Sequence, residues 1–281
     1  MGLRNKRPDL NGLLVVNKPL GWTSTRVVSL MRRLTSGAKV GHAGTLDPLA
    51  TGVLIICVGK ATRCVEQLMA EEKEYVAEID LSRTSESHDL ERATNDFLVE
   101  RPPDMAAVVA ALGGFVGSVM QLPPAHSAIK IDGRRAYHLA RAGDLLEDHG
   151  GAADSGAGVP GRDHVGLSPD AATGEPTDVA APRLKPRLVR IDAIEVVAYT
   201  WPMLTIRVCC GKGTYIRSLA RDIGRALSTG GVLTRLERTR SGGYHVRDAA
   251  IIETLPGQIG ARELLPVPVP CDPRPDEVKL F

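Results

Sequence analysis

Two short apolar runs constrain the fold of this chain most strongly. Gly12–Asn17 reads GLLVVN and Val53–Val58 reads VLIICV, and both are bounded by Gly, Asn or Lys. Apolar runs of this length between such residues are typical of buried strands. Glu74–Leu81 and Leu204–Val208 show more alternation between apolar and polar residues, as half-buried strands do. Strands are therefore predicted in both halves of the chain.

Apolar residues at helical spacing recur between these strands. The predicted helices are Ser24–Leu34, Met105–Leu112, Arg134–Ala142 and Thr214–Leu227. Thr23 and Ser24 are candidate N-caps of the first helix, and Asp104 is the candidate N-cap of the second. The last has one apolar face and one face of arginines that includes Arg217. Strands interspersed with helices predict a mixed α/β class.

The charge of the chain is unevenly distributed. The net charge is +2, but Ala142–Ala180 carries eight acids and one base, a net charge of −7. The rest of the chain therefore carries a net charge of +9. This excess favours a polyanionic partner such as a nucleic acid, although a solvated arginine-rich surface would have the same composition.

The acidic stretch lies in a segment with little to bury. Gly143–Pro182 is rich in Gly, Ala, Asp, Pro and Ser, a composition that predicts a mobile loop. We interpret it as an insertion, at about 143–182, within a single domain of residues 10–250. Residues 251–281 contain PVPVPCDPRP and are predicted to be a short proline-rich tail.

Nothing in the sequence indicates a membrane or secreted protein. The longest uncharged stretch, Met105–Ile129, contains Gly, Gln, Pro and His and suits a bilayer span poorly. The apolar run Leu13–Val16 is too short for a signal-peptide core, so a cytoplasmic location is expected. The five cysteines form no CxxC pair and no zinc-site spacing with histidine. Reduced thiols and no metal site are therefore expected.

One loop carries the residues best suited to chemistry. Lys39–Gly52 reads KVGHAGTLDPLATG and leads into the strand that begins at Val53. Pro48 biases the backbone of Asp47 toward an extended conformation, so the carboxylate projects from a stiff segment. Taken alone, an Asp-Pro pair favours the alternative, an Asx-turn that serves only the loop itself.

The wider sequence resembles one family. GHAGTLDPLATGVL, at Gly41–Leu54, strongly resembles the catalytic segment of the TruB family of tRNA pseudouridine synthases, which isomerise the T-loop uridine of tRNA. Four further blocks resemble the same family and keep its order along the chain. They are NKPLGWTS (17–24), KEYVAEI (73–79), PPAHSAIKIDGRRAYHLARAG (123–143) and GKGTYIRSLARDIG (211–224).

The resemblance implies a catalytic set of three residues. The essential aspartate of the family falls on Asp47, the tyrosine that stacks on the target base on Tyr75, and the arginine that pairs with the carboxylate on Arg217. Beside Asp47, a guanidinium would keep the carboxylate ionised, which burial alone would oppose. We expect Arg217 to bind it with two parallel hydrogen bonds.

Further residues are implied at the substrate. The histidine that enters the RNA fold beside the flipped nucleotide falls on His42, and a lysine that supports the active site falls on Lys18. Tyr215 and Leu236 fall at the base pocket. For each of these, packing or solvation is the alternative. The RNA-gripping segment of the family carries four further cations, which are expected to contact phosphates: Lys130, Arg134, Arg135 and Arg141.

The chemistry of this set is coherent. A uridine in folded RNA must leave its stack before an enzyme reaches its glycosidic bond, which costs a few kcal/mol. An imidazole on a glycine-flanked loop can take the vacated place, and a tyrosine face can receive the base. The isomerisation involves no net redox change, so no cofactor or metal is expected. Attack on C1′, attack on C6 and removal of a ribose proton all stay open for Asp47.

The sequence departs from the family at two places. Leu81–Leu90 reads LSRTSESHDL, with Ser82 where the family has Gly and with fewer carboxylates than the family's loop. The residues after Ala250 are too few and too rich in proline for the RNA-binding PUA domain found in many relatives. Binding is therefore expected to rest on the catalytic domain.

The resemblance implies the pseudouridine synthase fold, a largely antiparallel mixed sheet flanked by helices with a central RNA-binding cleft. The expected partner is the elbow of tRNA, with no membrane and no obligatory protein partner, and the chain is expected to be a monomer. Two alternatives stay open. One is a tRNA-folding chaperone that acts independently of catalysis, and the other is the guide-dependent catalytic subunit of box H/ACA particles.

Overall fold

The computed structural model describes residues 10–124 and 184–267, together with the backbone of residues 130–131 and 134–135. The chain divides into two compact units, one formed by Met1–Pro124 and Arg187–Phe281, the other by Ala125–Pro186. The predicted insertion at 143–182 and residues 268–281 of the predicted tail lie outside the described residues. The first unit carries the elements that position the site.

The first unit is organised by a ten-stranded sheet in the order β14-β1-β3-β12-β4-β11-β10-β7, with β13 on β12 and β2 on β3. Among the strand pairs that the structure describes in this sheet, two are parallel, β1·β14 and β3·β12, and the others are antiparallel. The mixed, largely antiparallel α/β fold is confirmed. The described strands are β1 (Gly12–Lys18), β2 (Val40–Ala43), β3 (Ala50–Val58), β4 (Lys73–Asp80), β5 (Arg83–Ser85), β6 (Thr94–Asp96), β7 (Gly117–Gln121), β8 (Lys130–Ile131), β9 (Arg134–Arg135), β10 (Arg187–Thr200), β11 (Met203–Cys210), β12 (Val232–Ser241), β13 (Tyr244–His245) and β14 (Ala250–Ile251).

The described helices are α1 (Ser24–Leu34), α2 (Val65–Ala70), α3 (Met105–Gly113) and α4 (Ile216–Ala226). Of the candidate N-caps, Thr23 and Asp104 cap their helices, because Thr23 Oγ1 accepts from the Arg26 amide at 3.1 Å and Asp104 Oδ1 from the Ala107 amide at 2.8 Å. These bonds satisfy amides that have no partner within the helix. They fix where α1 and α3 begin.

The helix predicted at Arg134–Ala142 is wrong at its start. Arg134 and Arg135 form β9, which pairs with β8 through Ile131 and Lys130. The sequence between the two strands is Asp-Gly, a dipeptide that favours a two-residue hairpin connection. The predicted helix therefore starts too early, since Arg134 and Arg135 belong to a strand. The rest of the predicted helix lies outside the described residues.

The continuous apolar runs have a simple structural reason. Strands β1 and β3 contribute alternate residues to two apolar clusters, one on each face of the sheet. Val16 and Leu54 belong to the larger cluster, whereas Val15 and Ile55 belong to the smaller one. A strand covered on both faces needs apolar residues at every position, which is why these runs show no alternation.

The larger apolar face ends in a polar row across the sheet. Gly52 of β3 pairs with Lys18 of β1 and with Arg238 of β12, and Arg238 pairs in turn with Tyr75 of β4. Two residues earlier on β12, Leu236 is part of the apolar cluster. Because alternate residues of a strand share one face, Arg238 lies on the same face of β12 as Leu236. The row that contains Lys18, Arg238 and Tyr75 therefore borders the larger apolar cluster.

The cysteines follow the prediction in part. Cys57, Cys209 and Cys210 are free thiols, and two of them are buried. Cys64, which packs in the smaller apolar cluster, is disulfide-bonded, so the prediction of reduced thiols is wrong for this residue. Among the described helices, none has the length and apolar character needed to cross a membrane.

Gly52 provides a test of the close packing between β3 and β12. Its φ is +98°, and an added Cβ would lie 2.2 Å from the Arg238 carbonyl oxygen. Gly37 has φ +81° with open space around it. Gly37→Ala should lose about 1–3 kcal/mol from backbone strain alone, and Gly52→Ala should lose clearly more. Chemical denaturation measures both, and equal losses would contradict the steric argument.

Candidate active site

Asp47 lies in the loop between β2 and β3, and the start of α1 holds that loop. The Ser24 hydroxyl accepts from the Leu46 amide at 2.9 Å and donates to the Leu46 carbonyl at 3.1 Å. The Gly21 amide donates to the Pro48 carbonyl at 2.8 Å. The residues on both sides of Asp47 are thus fixed from outside the loop, as expected for a functional side chain that must keep its direction.

The structure brings Arg217 to Asp47. Arg217 is the second residue of α4 and only 3% of its side chain is exposed, whereas 37% of the Asp47 side chain is exposed. Its Nε lies 3.0 Å from Asp47 Oδ2, so the predicted contact is present. Asp47 thus combines a fixed cationic partner with access to a ligand. A purely local Asx-turn would not place it against a guanidinium from α4.

Arg217 contacts Asp47 through Nε, and the two-bond geometry on Asp47 stays a prediction. Arg217 divides its guanidinium between two carboxylates, because Nη1 lies 3.4 Å from Asp89 Oδ2 and 3.5 Å from the Ser87 carbonyl oxygen. A buried guanidinium loses several kcal/mol of hydration and is stable only when its donors are matched. Asp89 supplies the second match.

Sequence reasoning missed Asp89. It lies in the segment noted for its departure from the family, and only 2% of its side chain is exposed. Its Oδ1 accepts from the Glu91 amide at 2.9 Å, and the His88 carbonyl accepts from the Leu233 amide of β12 at 3.0 Å. The available signal was an aspartate beside an apolar residue in a loop of hydroxyl side chains, which is too general to identify a partner for Arg217.

The electrostatics of Asp47 result from opposing effects. Burial raises the pKa of its carboxyl, Arg217 opposes the rise, and the carboxylates Asp89 and Glu91 add to it. The net effect is an upward shift of the pKa. The expectation that a guanidinium opposes burial is therefore met in direction, but Arg217 does not offset burial and the neighbouring carboxylates completely.

Lys18 is a buried cation behind the loop. Its Nζ donates to the carbonyls of Pro19 and Trp22 at 2.9 and 2.6 Å. Burial lowers the pKa of Lys18 to about 8, Asp47 acts in the opposite direction, and the charge of Arg238 adds to the lowering. The charge of Asp47 therefore acts on Lys18, and Lys18 braces the turn that leads into α1.

Tyr75 and Leu236 lie on neighbouring strands, with Tyr75 paired to Arg238, two residues beyond Leu236. Tyr75 is half-buried on β4 against the larger apolar cluster, and burial raises the pKa of its hydroxyl. Leu236 on β12 is buried between Ala50 and Ala77 of the flanking strands. Together they form an apolar and aromatic surface at the edge of the core, which suits the face of a planar base.

Tyr215 immediately precedes α4. Its amide donates to Gln121 Oε1 at 2.8 Å and its carbonyl accepts from Gln121 Nε2 at 3.1 Å, so α4 begins two residues later than predicted. The Arg187 guanidinium lies 4.7 Å from the centre of the Tyr215 ring. This stacking fixes one face of the ring.

His42 is half-buried on β2, four residues before Leu46. Burial lowers the pKa of its imidazole and the charge of Arg238 adds to the lowering. A neutral imidazole can insert and stack within RNA without a charge that would have to be neutralised. Of the predicted phosphate contacts, Lys130, Arg134 and Arg135 have only their backbone described, in β8 and β9. Arg141 lies outside the described residues.

Sequence reasoning also missed Arg238, which is 1% exposed. Its Nε donates to the Val53 carbonyl at 2.7 Å and its Nη2 to the Gly44 carbonyl at 3.1 Å. Its charge acts on Lys18, His42 and Tyr75. The signal in the sequence was its spacing of two from the apolar Leu236, which places an arginine on the inward face of β12.

The arrangement joins an accessible carboxylate, buried cations and a surface for a planar ring. Such a site can attack or deprotonate a sugar or base held against Tyr75, with charge stabilised by fixed groups. Among the described residues, no cluster of three or more His, Cys, Asp or Glu side chains offers a metal site.

Comparisons with known sequences point to one kind of protein. Residues 32–150 match the profile of the TruB family pseudouridylate synthase (N terminal domain). A protein of Bacteroides fragilis named tRNA pseudouridine synthase B is 44% identical over 82% of this chain and 86% of its own. Its namesake from Thermobifida fusca is 42% identical over 87% of this chain and 74% of its own.

Comparison with solved structures finds proteins of similar fold. The chain matches a crystal structure of a Cbf5-Nop10-Gar1 complex with a TM-score of 0.58 and 26% identity, over 87% of this chain. It spans about half, 53%, of that chain. Fold and site together define a pseudouridine synthase. The identity to the curated relatives is more specific: the chain belongs to the TruB family.

Burial and Arg217 have opposing effects on the pKa of Asp47, and the effect of Arg217 can be measured. Arg217→Gln removes the cation that lowers the pKa of Asp47, so this pKa should rise further above its ordinary value of 3.8. Carboxyl NMR with a pH titration measures it. Arg235→Gln, at an exposed arginine that pairs with Glu78, is the control and should leave it unchanged. A lower or equal pKa in Arg217→Gln would refute the electrostatic account.

Proposed function

We propose that this protein isomerises uridine to pseudouridine in the T-loop of tRNA, with Asp47 as the essential group. The observation that carries the proposal is the ion pair between the accessible Asp47 and the buried Arg217. The relatives named tRNA pseudouridine synthase B support tRNA as the substrate class, since the chain covers most of their length.

The reaction detaches uracil from C1′ and rejoins it through C5. The N1–C1′ bond breaks, the C5–C1′ bond forms, the proton on C5 leaves and N1 gains a proton, so neither oxidant nor reductant is needed. The target nucleotide leaves its stack first, at a cost of a few kcal/mol. Asp47 acts on the sugar or the base. Arg217 holds the Asp47 carboxylate in the orientation that the reaction needs.

The other site residues bind the extruded nucleotide and the RNA around it. Tyr75 stacks on the base, with Tyr215 and Leu236 completing the pocket. His42 occupies the place that the base vacates, and Lys18 supports the active site from behind the catalytic loop. The phosphates are contacted by a set of cations that carries no sequence information: Lys130, Arg134, Arg135 and Arg141.

The proposal extends to how the protein works in the cell. It acts as a monomer in the cytoplasm, where its tRNA substrate is made, and needs no obligatory partner. Residues 10–250 form the catalytic domain with the acidic insertion at 143–182. The net charge of +9 outside Ala142–Ala180 supports binding of an RNA by this domain.

One structural observation favours a second candidate. The likeness to the chain in the Cbf5-Nop10-Gar1 complex covers 87% of this protein, and another match is the structure of an H/ACA RNP bound to a substrate RNA. A guide-dependent synthase would need accessory RNA and proteins. Activity on an isolated tRNA transcript, with nothing else added, separates the two functions.

Asp47→Asn separates catalysis from RNA binding and folding. It keeps the shape of the side chain and removes its charge, so isomerisation should fall by at least about four orders of magnitude, as loss of a nucleophile does. Affinity for the transcript should change less than about threefold. Tritium release from 5-³H-uridine and filter binding measure the two quantities. A chaperone that needs no catalysis would refold tRNA equally well in this variant, whereas substantial turnover would refute the role of Asp47.

A further inference from the structure

The catalytic loop, residues 45–52 with Asp47, is also held by Arg238. Asp47 lies between Gly44, which follows β2, and Val53, which lies in β3. Both of these carbonyls accept from the one guanidinium of Arg238, at 3.1 Å for Gly44 and 2.7 Å for Val53. A single planar group therefore spans the two ends of the segment 45–52.

The surroundings of Arg238 are built for this contact. Gly44 has φ +91°, and a Cβ there would lie 3.3 Å from Arg238 Nη1, so a side chain would crowd the guanidinium. On the neighbouring strand Gly52 pairs with Arg238 and has no side chain to occupy the same row. Glycine at both positions leaves room for the arginine against the backbone of the loop.

Arg238 is fully buried at 1% exposure, and its backbone is paired to β3 and β4 on both sides. It therefore cannot reach a substrate held at the accessible face of Asp47. Burial of a guanidinium loses several kcal/mol of hydration, which requires well-placed acceptors in return. Here the acceptors are carbonyls of the catalytic loop, so the arginine and the loop conformation depend on each other.

We propose that Arg238 is a positioning residue for the reaction, whose guanidinium joins the carbonyls of Gly44 and Val53 and thereby sets the direction of Asp47. This inference rests on the proposed function for its effect on rate, while its effect on the loop is independent of it. Lysine cannot replace it, because a single ammonium point charge lacks the rigid fork that spans two separate carbonyls.

The test compares Arg238→Lys and Arg238→Gln with Arg235→Lys, a matched change at an exposed arginine three residues earlier on β12. Single-turnover rate and affinity are measured on the tRNA transcript. Both Arg238 variants should turn over about 100-fold more slowly, because a displacement of about 1 Å reduces rate by this factor. Their affinity should stay within about threefold of wild type, and Arg235→Lys should match wild type in both.

Hydrogen exchange provides a measurement that does not require activity. Amides of the segment 45–52 should exchange faster in Arg238→Lys, while those of α3 and β10 stay as in wild type. Arg238→Lys keeps the buried charge and carries the test if Arg238→Gln fails to fold. Wild-type protein that is inactive on RNA would refute the proposed function, yet localised exchange in this segment would still support the role of Arg238.

Three results would overturn the inference. One is turnover of Arg238→Lys within threefold of wild type. The second is loss of RNA affinity in proportion to rate, which would mean that Arg238 acts on binding. The third is faster exchange throughout the first unit, or failure of Arg238→Lys to fold, which would give Arg238 a general structural role.

Discussion

The burial of the Arg217 guanidinium is the constraint on which the site depends. A charge taken out of water at this depth loses several kcal/mol of hydration, so its partners must be present and correctly placed. Arg217 contacts Asp47 on one side and Asp89 on the other. The start of α4, the turn before Asp89 and the loop with Asp47 must therefore meet at one point. Only Asp47 of these three side chains stays accessible to a ligand.

A second buried arginine, Arg238, contacts both ends of the same loop. Arg238 belongs to the sheet, whereas Arg217 belongs to a helix, so the loop of Asp47 is held between two kinds of element. With Lys18, the described part of the site has three buried cations, and the carboxylates of Asp47, Asp89 and Glu91 lie near them. The charges at the site therefore oppose one another within a short distance, which keeps their positions interdependent.

Much of the framework was predictable because its signals are local. The apolar runs identified β1 and β3, and the caps at Thr23 and Asp104 fixed the starts of α1 and α3. The helix prediction is wrong for Arg134 and Arg135, because the Asp-Gly dipeptide between β8 and β9 favours a hairpin and helical spacing alone does not reveal it. Local signals thus fail where two of them disagree.

The site was predictable where a motif identified single residues, as for Asp47 and its contact with Arg217. The sharing of Arg217 with Asp89 was not, because it depends on a turn that meets α4 only after folding. Arg238 was one of many arginines in a basic chain, and only its register opposite Gly52 and Tyr75 distinguishes it. The roles of Asp89 and Arg238 depend on contacts between segments that are far apart in the chain. A single sequence does not show which of its segments meet.

The most direct measurement is the pH dependence of the single-turnover rate on an isolated tRNA transcript. The account requires Asp47 to act as a carboxylate whose pKa is raised by burial. The rate should therefore fall as the pH is lowered, with a midpoint above the ordinary value of 3.8. A midpoint at or below that value, or no activity without added guide RNA and partner proteins, would contradict the account.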